Sequence, residues 1–222
     1  MMKKLTQAIA LAGVMTTGLT ATTSVFAEDV EVSASASVAS MYLWRGKDLG
    51  NGAAAVSGDI TASMGGAYAG VWTSSGDTKA GNEYDLYVGY GGEVEDFSYD
   101  LSVWTYSYPG DDTENGEGNT FSLTDAILSL GYMGASFSYY YPLNSNPTDY
   151  SYITLGYGMD AYSATVGISN SDSDSDKYTH LDLSYAYNDS LAFTLSKVVD
   201  AEEDSFDDDI KVVVSYSLPI DM

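Results

Sequence analysis

Cysteine is absent from the 222-residue chain. No disulfide can hold the fold together, so an exported chain of this kind must draw its stability from a larger closed structure. Bases are scarce: 8 Lys and Arg stand against 32 Asp and Glu, for a formal net charge of −24. That balance excludes nucleic acid as a partner, since binding its phosphates needs clustered lysine and arginine. With one histidine and no cysteine, no His/Cys metal cluster can form. There is no Gly-x-Ser-x-Gly and no phosphate loop. After the first 27 residues no run of about 20 apolar residues occurs, so no membrane helix is expected.

Tyrosine and glycine are abundant, at 20 and 22 residues. The N-terminus reads as an export signal: Lys3 and Lys4 lead a short apolar stretch from Ala8 to Val14, and Val25, Phe26 and Ala27 form a small-residue cleavage site. Cleavage after Ala27 leaves 28–222 as a single mature domain. It removes two of the eight bases and none of the acids. An export signal, many Tyr and Gly, no Cys and no spanning helix together point to an outer-membrane β-barrel.

The stretch 33–46 sets the pattern. Ala34, Ala36, Val38, Ser40, Tyr42 and Trp44 alternate with Ser33, Ser35, Ser37, Ala39, Met41, Leu43 and Arg45. A period of two is a strand signal. Aromatics at one end of a long strand suit a bilayer crossing with Tyr42 and Trp44 at a membrane–water interface. The same alternation recurs, giving strands at about 30–44, 53–63, 67–74, 83–92, 97–107, 122–132, 135–141, 149–158, 161–169, 178–187, 191–199 and 210–218. On the fourth, Tyr84, Leu86, Val88 and Tyr90 oppose Glu83, Asp85, Tyr87 and Gly89.

The connections alternate between long and short. Long ones centre near 48, 78, 115, 145, 173 and 205, and short ones near 65, 94, 134, 159 and 189. Outer-membrane barrels have long external loops and short periplasmic turns, an order that results when both termini are periplasmic. The expected fold is all-β: a transmembrane antiparallel β-barrel of about 12 strands. A secreted β-sandwich would also give short alternating strands. Its inner faces should be rich in Val, Ile and Leu, whereas here one face of each strand is apolar and the other carries Ser, Thr, Asp, Gly and Tyr.

Four motifs occur in order: Tyr-Leu-Trp-Arg-Gly at 42–46, Gly-Ala-Tyr-Ala-Gly-Val-Trp at 66–72, Glu-Tyr-Asp-Leu-Tyr-Val-Gly-Tyr at 83–90 and Tyr-Ser-Tyr-Pro-Gly at 106–110. Together they resemble the TorF-family porins of proteobacterial outer membranes. The resemblance covers roughly the first half of the mature chain and is mainly one of pattern beyond residue 120. It implies a single-domain outer-membrane barrel, assigned as a porin largely by architecture, with no firmly assigned substrate. It also implies a C-terminal signal for the barrel-assembly machinery. Lys211, Tyr216 and Leu218 are similar to that signal, but Val213 stands where Gly is usual and Pro219 to Met222 run on afterwards.

The interior of such a barrel is the main candidate site. Its expected bases are Arg45 and Lys211. Asp59, Glu83, Asp85, Asp100, Asp125, His180 and Asp182 are polar candidates, and Tyr87, Trp104 and Tyr106 are aromatic ones. Rings of carboxylates favour cations, which predicts a narrow channel for cations or small neutral solutes. Aromatics on the wall suit stacking on sugars or other planar-faced solutes. The alternative is a filled barrel braced by internal bonds, Arg45 pairing with an acid of the fourth strand and the acidic loops serving as a surface-interaction element.

A hydrolase is the remote alternative. His180, Asp182 and Ser184 share one strand face, but its ends lie roughly 13 Å apart at about 3.3 Å per residue, too far for a triad. No catalytic role and no cofactor are expected.

Acids also gather at Asp111, Asp112, Glu114 and Glu117; at Asp172, Asp174 and Asp176; and at Glu202, Glu203, Asp204, Asp207, Asp208 and Asp209. The alternation at 172–176 begins like a calcium loop but lacks the later Gly and Glu of an EF-hand. Asp172, Asp174, Asp176, Asp207, Asp208 and Asp209 are weak candidates for loose Ca²⁺ or Mg²⁺ binding that bridges to lipopolysaccharide phosphates. The expected partners are outer-membrane lipid, lipopolysaccharide and small solutes.

Overall fold

The computed structural model describes residues 30–77, 81–109, 123–203 and 206–220. The export segment 1–27, the acidic residues 111–117, Lys79 and Asp204 lie outside the described residues.

Alternating residues build strands β1 (Glu31–Ala39), β2 (Leu43–Trp44), β3 (Lys47–Asp48), β4 (Ala55–Met64), β5 (Ala67–Asp77), β6 (Gly81–Val94) and β7 (Phe97–Ser107). They continue with β8 (Leu123–Tyr132), β9 (Ala135–Pro142), β10 (Ser151–Met159), β11 (Tyr162–Asn170), β12 (Tyr178–Ala186), β13 (Leu191–Ala201) and β14 (Lys211–Ile220). β2 and β3 pair only with each other. The other twelve close into one antiparallel barrel in which β1 is bonded to both β4 and β14. Every other barrel strand pairs with its neighbours in sequence. Closure leaves no row of unpaired backbone groups at an edge.

Tight turns close one end. Gly65 and Gly66 have φ of 59° and 84°, and Met133 and Gly134 of 47° and 85°. Two successive positive φ values are those of a type I′ turn, whose twist matches that of the flanking strands. The longer connections gather at the opposite end.

The two faces separate as the alternation requires. Val56, Ile60, Leu86, Val88, Leu101, Val103, Leu155, Leu183, Leu195, Val212 and Val214 point outward and stay exposed. Outward tyrosines 90, 132, 157, 162, 185 and 187 ring the tight-turn end, where Tyr162 and Tyr185 stack at 5.1 Å. This ring, and not Tyr42 and Trp44, forms the outer aromatic belt.

Inside, the barrel has two unlike walls. Tyr68, Tyr87, Trp104, Ile127, Tyr140 and Tyr152 pack together on β5 to β10. Facing them, β13, β14, β1 and β4 present Thr194, Ser196, Ser215, Ser217, Ser35, Ser37 and Ser57, with Ser37 Oγ donating to Ser217 Oγ at 3.0 Å. The aromatic wall has a reciprocal joint. Tyr68 lies opposite Gly89 and Tyr87 opposite Gly70 across the β5–β6 pair. A Cβ on either glycine would run into the facing phenol ring.

Three sequence expectations are corrected. The first strand stops at Ala39, opposite Ala55, and does not reach residue 44. The chain then turns into the barrel as the β2–β3 hairpin, which takes Tyr42 inside. The connection near 78 is short, because β5 and β6 pair as far as Asp77 and Gly81 beyond an irregularity after Ser74. The last strand continues to Ile220, with Pro219 opposite Ser35.

Candidate functional site

The site is built around the inward hairpin. Arg45 and Gly46 are its two turn residues, with φ of 49° and 78°, and Trp44 pairs with Lys47 across them. Only glycine fits the second position. Its φ is positive, and a Cβ there would lie 2.6 Å from Cγ of His180. Tyr178 fixes the tip by donating its hydroxyl to the Arg45 carbonyl at 2.8 Å.

Arg45 is 4 % exposed. Its Nη2 pairs with Oδ2 of Asp125 at 3.0 Å, and its Nη1 donates to the Tyr150 hydroxyl at 2.9 Å. The guanidinium also lies 4.4 Å from the Trp44 ring centroid, 4.5 Å from Tyr152 and 4.9 Å from Tyr140. Tyr106 donates a further bond to Asp125 at 3.3 Å. A buried charge needs this combination of counter-ion, hydrogen bonds and aromatic faces.

The brace expected between Arg45 and an acid of the fourth barrel strand, β6, is therefore replaced by one to β8. One acid of β6 is already taken. The hairpin reaches across the lumen, and Tyr42 at its base has already engaged Glu83 of β6.

Glu83 is buried with both oxygens occupied, by the hydroxyls of Tyr42 and Tyr108. Asp85, two residues on, is 2 % exposed, and its Oδ1 has no hydrogen-bond partner. His180 is 1 % exposed with both ring nitrogens used. Nδ1 lies 3.1 Å from Oδ1 of Asp182, and Nε2 lies 2.7 Å from the Tyr152 hydroxyl. Ser184 bonds Thr194 instead, at 2.9 Å, so the three residues of the hydrolase alternative do not meet.

Nearer the tight turns, Asp59 accepts from Tyr87 at 2.5 Å and Thr61 at 3.0 Å. Asp100 accepts from Tyr68 at 2.6 Å. Trp104 stacks on Tyr87 at 4.1 Å. Lys211 faces inward but turns its ammonium to its own loop, bonding the Asp207 and Asp209 carbonyls at 3.0 and 3.3 Å and the Asp207 carboxylate at 3.3 Å.

The loop acids are dispersed. Asp207 pairs with Lys211 and Asp208 with Lys197, while Asp174 and Asp176 belong to a short 3-10 turn and Asp172 lies just before it. Among the described residues no three acids or histidines converge to hold a metal ion. The Asp207 carboxyl is held below the usual aspartate range, chiefly by the Asp209 backbone N–H and then by Lys211.

Tyr42, Trp44, Tyr140 and Tyr150 are the contacts that sequence reasoning missed. The Arg-Gly pair at 45–46 was the available signal, as a turn dipeptide between two alternating runs. No helix among the described residues is long and apolar enough to cross a membrane.

No curated protein matches the chain. A family model described as "Bacterial protein of unknown function (Gcw_chp)" matches residues 24–209 and carries no porin designation, so the likeness to TorF-family porins stays a resemblance. Spanning most of the sequence, that match shows that the chain belongs to the Gcw_chp family.

Proposed function

We propose that this protein is an outer-membrane barrel forming a narrow pathway for passive diffusion of small cations or neutral solutes, constricted by the hairpin at 43–48. The observation that carries the reading is the exposure of the inward serines. Ser35, Ser37, Ser57 and Ser217 point into the barrel yet remain partly accessible, whereas Thr194, Ser196 and Ser215 of the same wall, and the aromatic wall opposite, are buried. Small hydroxyl side chains leave room for water and hydrogen-bond it.

Membrane placement is supported by the exposed apolar outer surface and by its tyrosine ring. The lipid and lipopolysaccharide around such a barrel are its expected surroundings, and the barrel-assembly machinery its route there. Selectivity follows from charge: Asp59, Glu83, Asp85, Asp100 and Asp182 face the interior, and the guanidinium of Arg45 is taken up by Asp125. The reading includes no catalytic role, because His180 and Ser184 are engaged with other partners.

The test is single-channel recording of the refolded protein in a planar bilayer under a KCl gradient. Discrete steps with a cation-side reversal potential are expected. An anion-side potential refutes the selectivity. A folded barrel that gives no steps favours the second reading, a filled barrel locked by the Arg45 contacts, with a structural or surface role.

A further inference from the structure

The geometry points to a binding site on the interior wall for guanidinium-bearing organic cations, occupied by Arg45 as a tethered ligand. The receptor half of the site belongs to the barrel. Asp125 lies in β8, Tyr140 in β9 and Tyr152 in β10, and Tyr150 directly precedes β10. Each wall residue also has partners other than Arg45. Tyr106 donates to Asp125 at 3.3 Å. Asn146 accepts from the Tyr150 N–H at 2.7 Å and donates to the Tyr150 carbonyl at 2.9 Å. Nε2 of His180 lies 2.7 Å from the Tyr152 hydroxyl, and Tyr152 packs on Tyr140 with ring centroids 5.4 Å apart.

The occupant half is attached differently. β2 and β3 pair only with each other, and among the described residues no backbone group of 43–48 bonds the backbone of a barrel strand. Side chains hold the hairpin: Tyr42 on Glu83, the Tyr178 hydroxyl on the Arg45 carbonyl, and the guanidinium itself. Withdrawing the hairpin therefore breaks no rung of the barrel ladder and leaves the wall residues with their own supports.

What the wall recognises is read from what fills it. Two nitrogens of one planar group reach two different oxygens, Asp125 Oδ2 at 3.0 Å and the Tyr150 hydroxyl at 2.9 Å. The ring centroids of Tyr152 and Tyr140 lie 4.5 and 4.9 Å from its central carbon. A carboxylate meets the charge, a second oxygen meets the fork, and aromatic faces meet the plane. That set suits a guanidinium better than an ammonium, which is a compact point charge. Tyr106, Asp125 and Tyr150 stand at the long-connection end of their strands, and Tyr106 and Tyr150 are partly accessible, so the site faces that mouth. Guanidinium-bearing solutes are then the cations that the pathway selects. This selection rests on the channel reading; the binding itself does not.

Methylguanidinium is the probe, and saturation transfer from the folded full-length barrel in detergent to its methyl protons is the readout. A tethered group competes at an effective concentration of about millimolar order. Binding to the parent should therefore be saturable but roughly tenfold weaker than binding to Arg45→Ala, whose seat is vacant. Adding Asp125→Asn to Arg45→Ala should remove the saturable component and leave only diffuse attraction to exposed acids. Isopropylammonium, of equal charge and similar size, should bind the parent and Arg45→Ala several-fold more weakly. Heat-modifiable gel mobility checks that each variant is folded. If Arg45→Ala refolds poorly by itself, methylguanidinium should restore its folded band better than isopropylammonium does, and the parent titration stands regardless.

No saturable binding to the parent, equal affinity for isopropylammonium, or a saturable component that survives in the folded double variant overturns the site and leaves Arg45 as an internal brace. In bilayers, methylguanidinium on one side against isopropylammonium on the other should give a reversal potential that favours methylguanidinium; a null potential overturns the selection. Binding without channel steps overturns the pathway and leaves the site standing. Steps without binding do the reverse.

Discussion

Arg45 shows how the interior resolves a buried charge. Its guanidinium is removed from water at the tip of a hairpin and restored by Asp125, Tyr150 and three aromatic rings. Breaking a buried pair by removing one partner leaves the other charge uncompensated, at a cost of about 3–5 kcal/mol. Arg45→Ala should therefore lower barrel stability by roughly that amount, read as the guanidinium midpoint of the folded gel band. Arg45→Met with Asp125→Asn should recover most of the loss, because it removes both charges together. Equal midpoints for Arg45→Ala and the parent would show that the contact stabilises nothing. Asp207 is a milder case at the surface. Its carboxyl is depressed in the folded state, first by the Asp209 N–H and then by Lys211. The stabilisation is thus fully present above the ordinary aspartate pKa of about 3.9 and is lost as pH falls through the lower folded value. The amide resonance of Asp209 should report this, titrating with a midpoint below that of a free aspartate. A midpoint at or above the free value would contradict the assignment.

β5 and β6 are locked by shape as well as by backbone bonds. Tyr68 fills the space over Gly89, and Tyr87 fills the space over Gly70. Gly89→Ala should force the Tyr68 ring aside and strain its bond to Asp100, destabilising the barrel by about 1–3 kcal/mol, as overpacking does. The unfolding temperature of the heat-modifiable band measures it, and an unchanged temperature would mean the ring has free space. Strands of this kind were legible in sequence because each carries its own alternation, as Tyr84, Leu86, Val88 and Tyr90 do against Glu83, Asp85 and Tyr87. The hairpin was not. Tyr42 and Trp44 extend the period of β1 without a break, and a strand that pairs with the barrel has the same local pattern as one that folds back on itself. Only the turn chemistry of Arg45 and Gly46 distinguishes them. The partner of Arg45 was hidden for a related reason: Asp125 lies 80 residues away, and no local pattern states which acid a buried base will meet. Conversely, Ser75, Gly76, Gly81 and Asn82 read as loop residues by composition, yet β5 runs on to Asp77 and β6 begins at Gly81, with Asp77 opposite Gly81.

At the scale of the whole molecule, closure makes an unusual demand. Twelve strands satisfy one another's backbone groups all the way round, so the cylinder has no edge to hide. What it cannot hide is its outer face. Leu86, Leu101, Leu155, Leu183, Leu195 and Val212 are each more than a third exposed, and they come from strands spread around the circumference. Water tolerates apolar patches of only a few hundred Å² on a monomer. On the outer-membrane reading proposed above, this apolar outer face meets lipid, and the tyrosine ring at the tight-turn end marks where lipid would meet water. The expected outcome is that mature protein diluted from denaturant into plain buffer aggregates. Diluted into detergent micelles or lipid vesicles, the same protein should acquire β-sheet circular dichroism and a gel band that shifts on boiling. In vesicles, bromine-labelled acyl chains should quench tyrosine fluorescence from the outward ring, while the buried rings around Arg45 stay bright. A monodisperse, folded monomer in buffer without amphiphile would place the apolar face against something other than lipid, and the pathway proposal would fall with it.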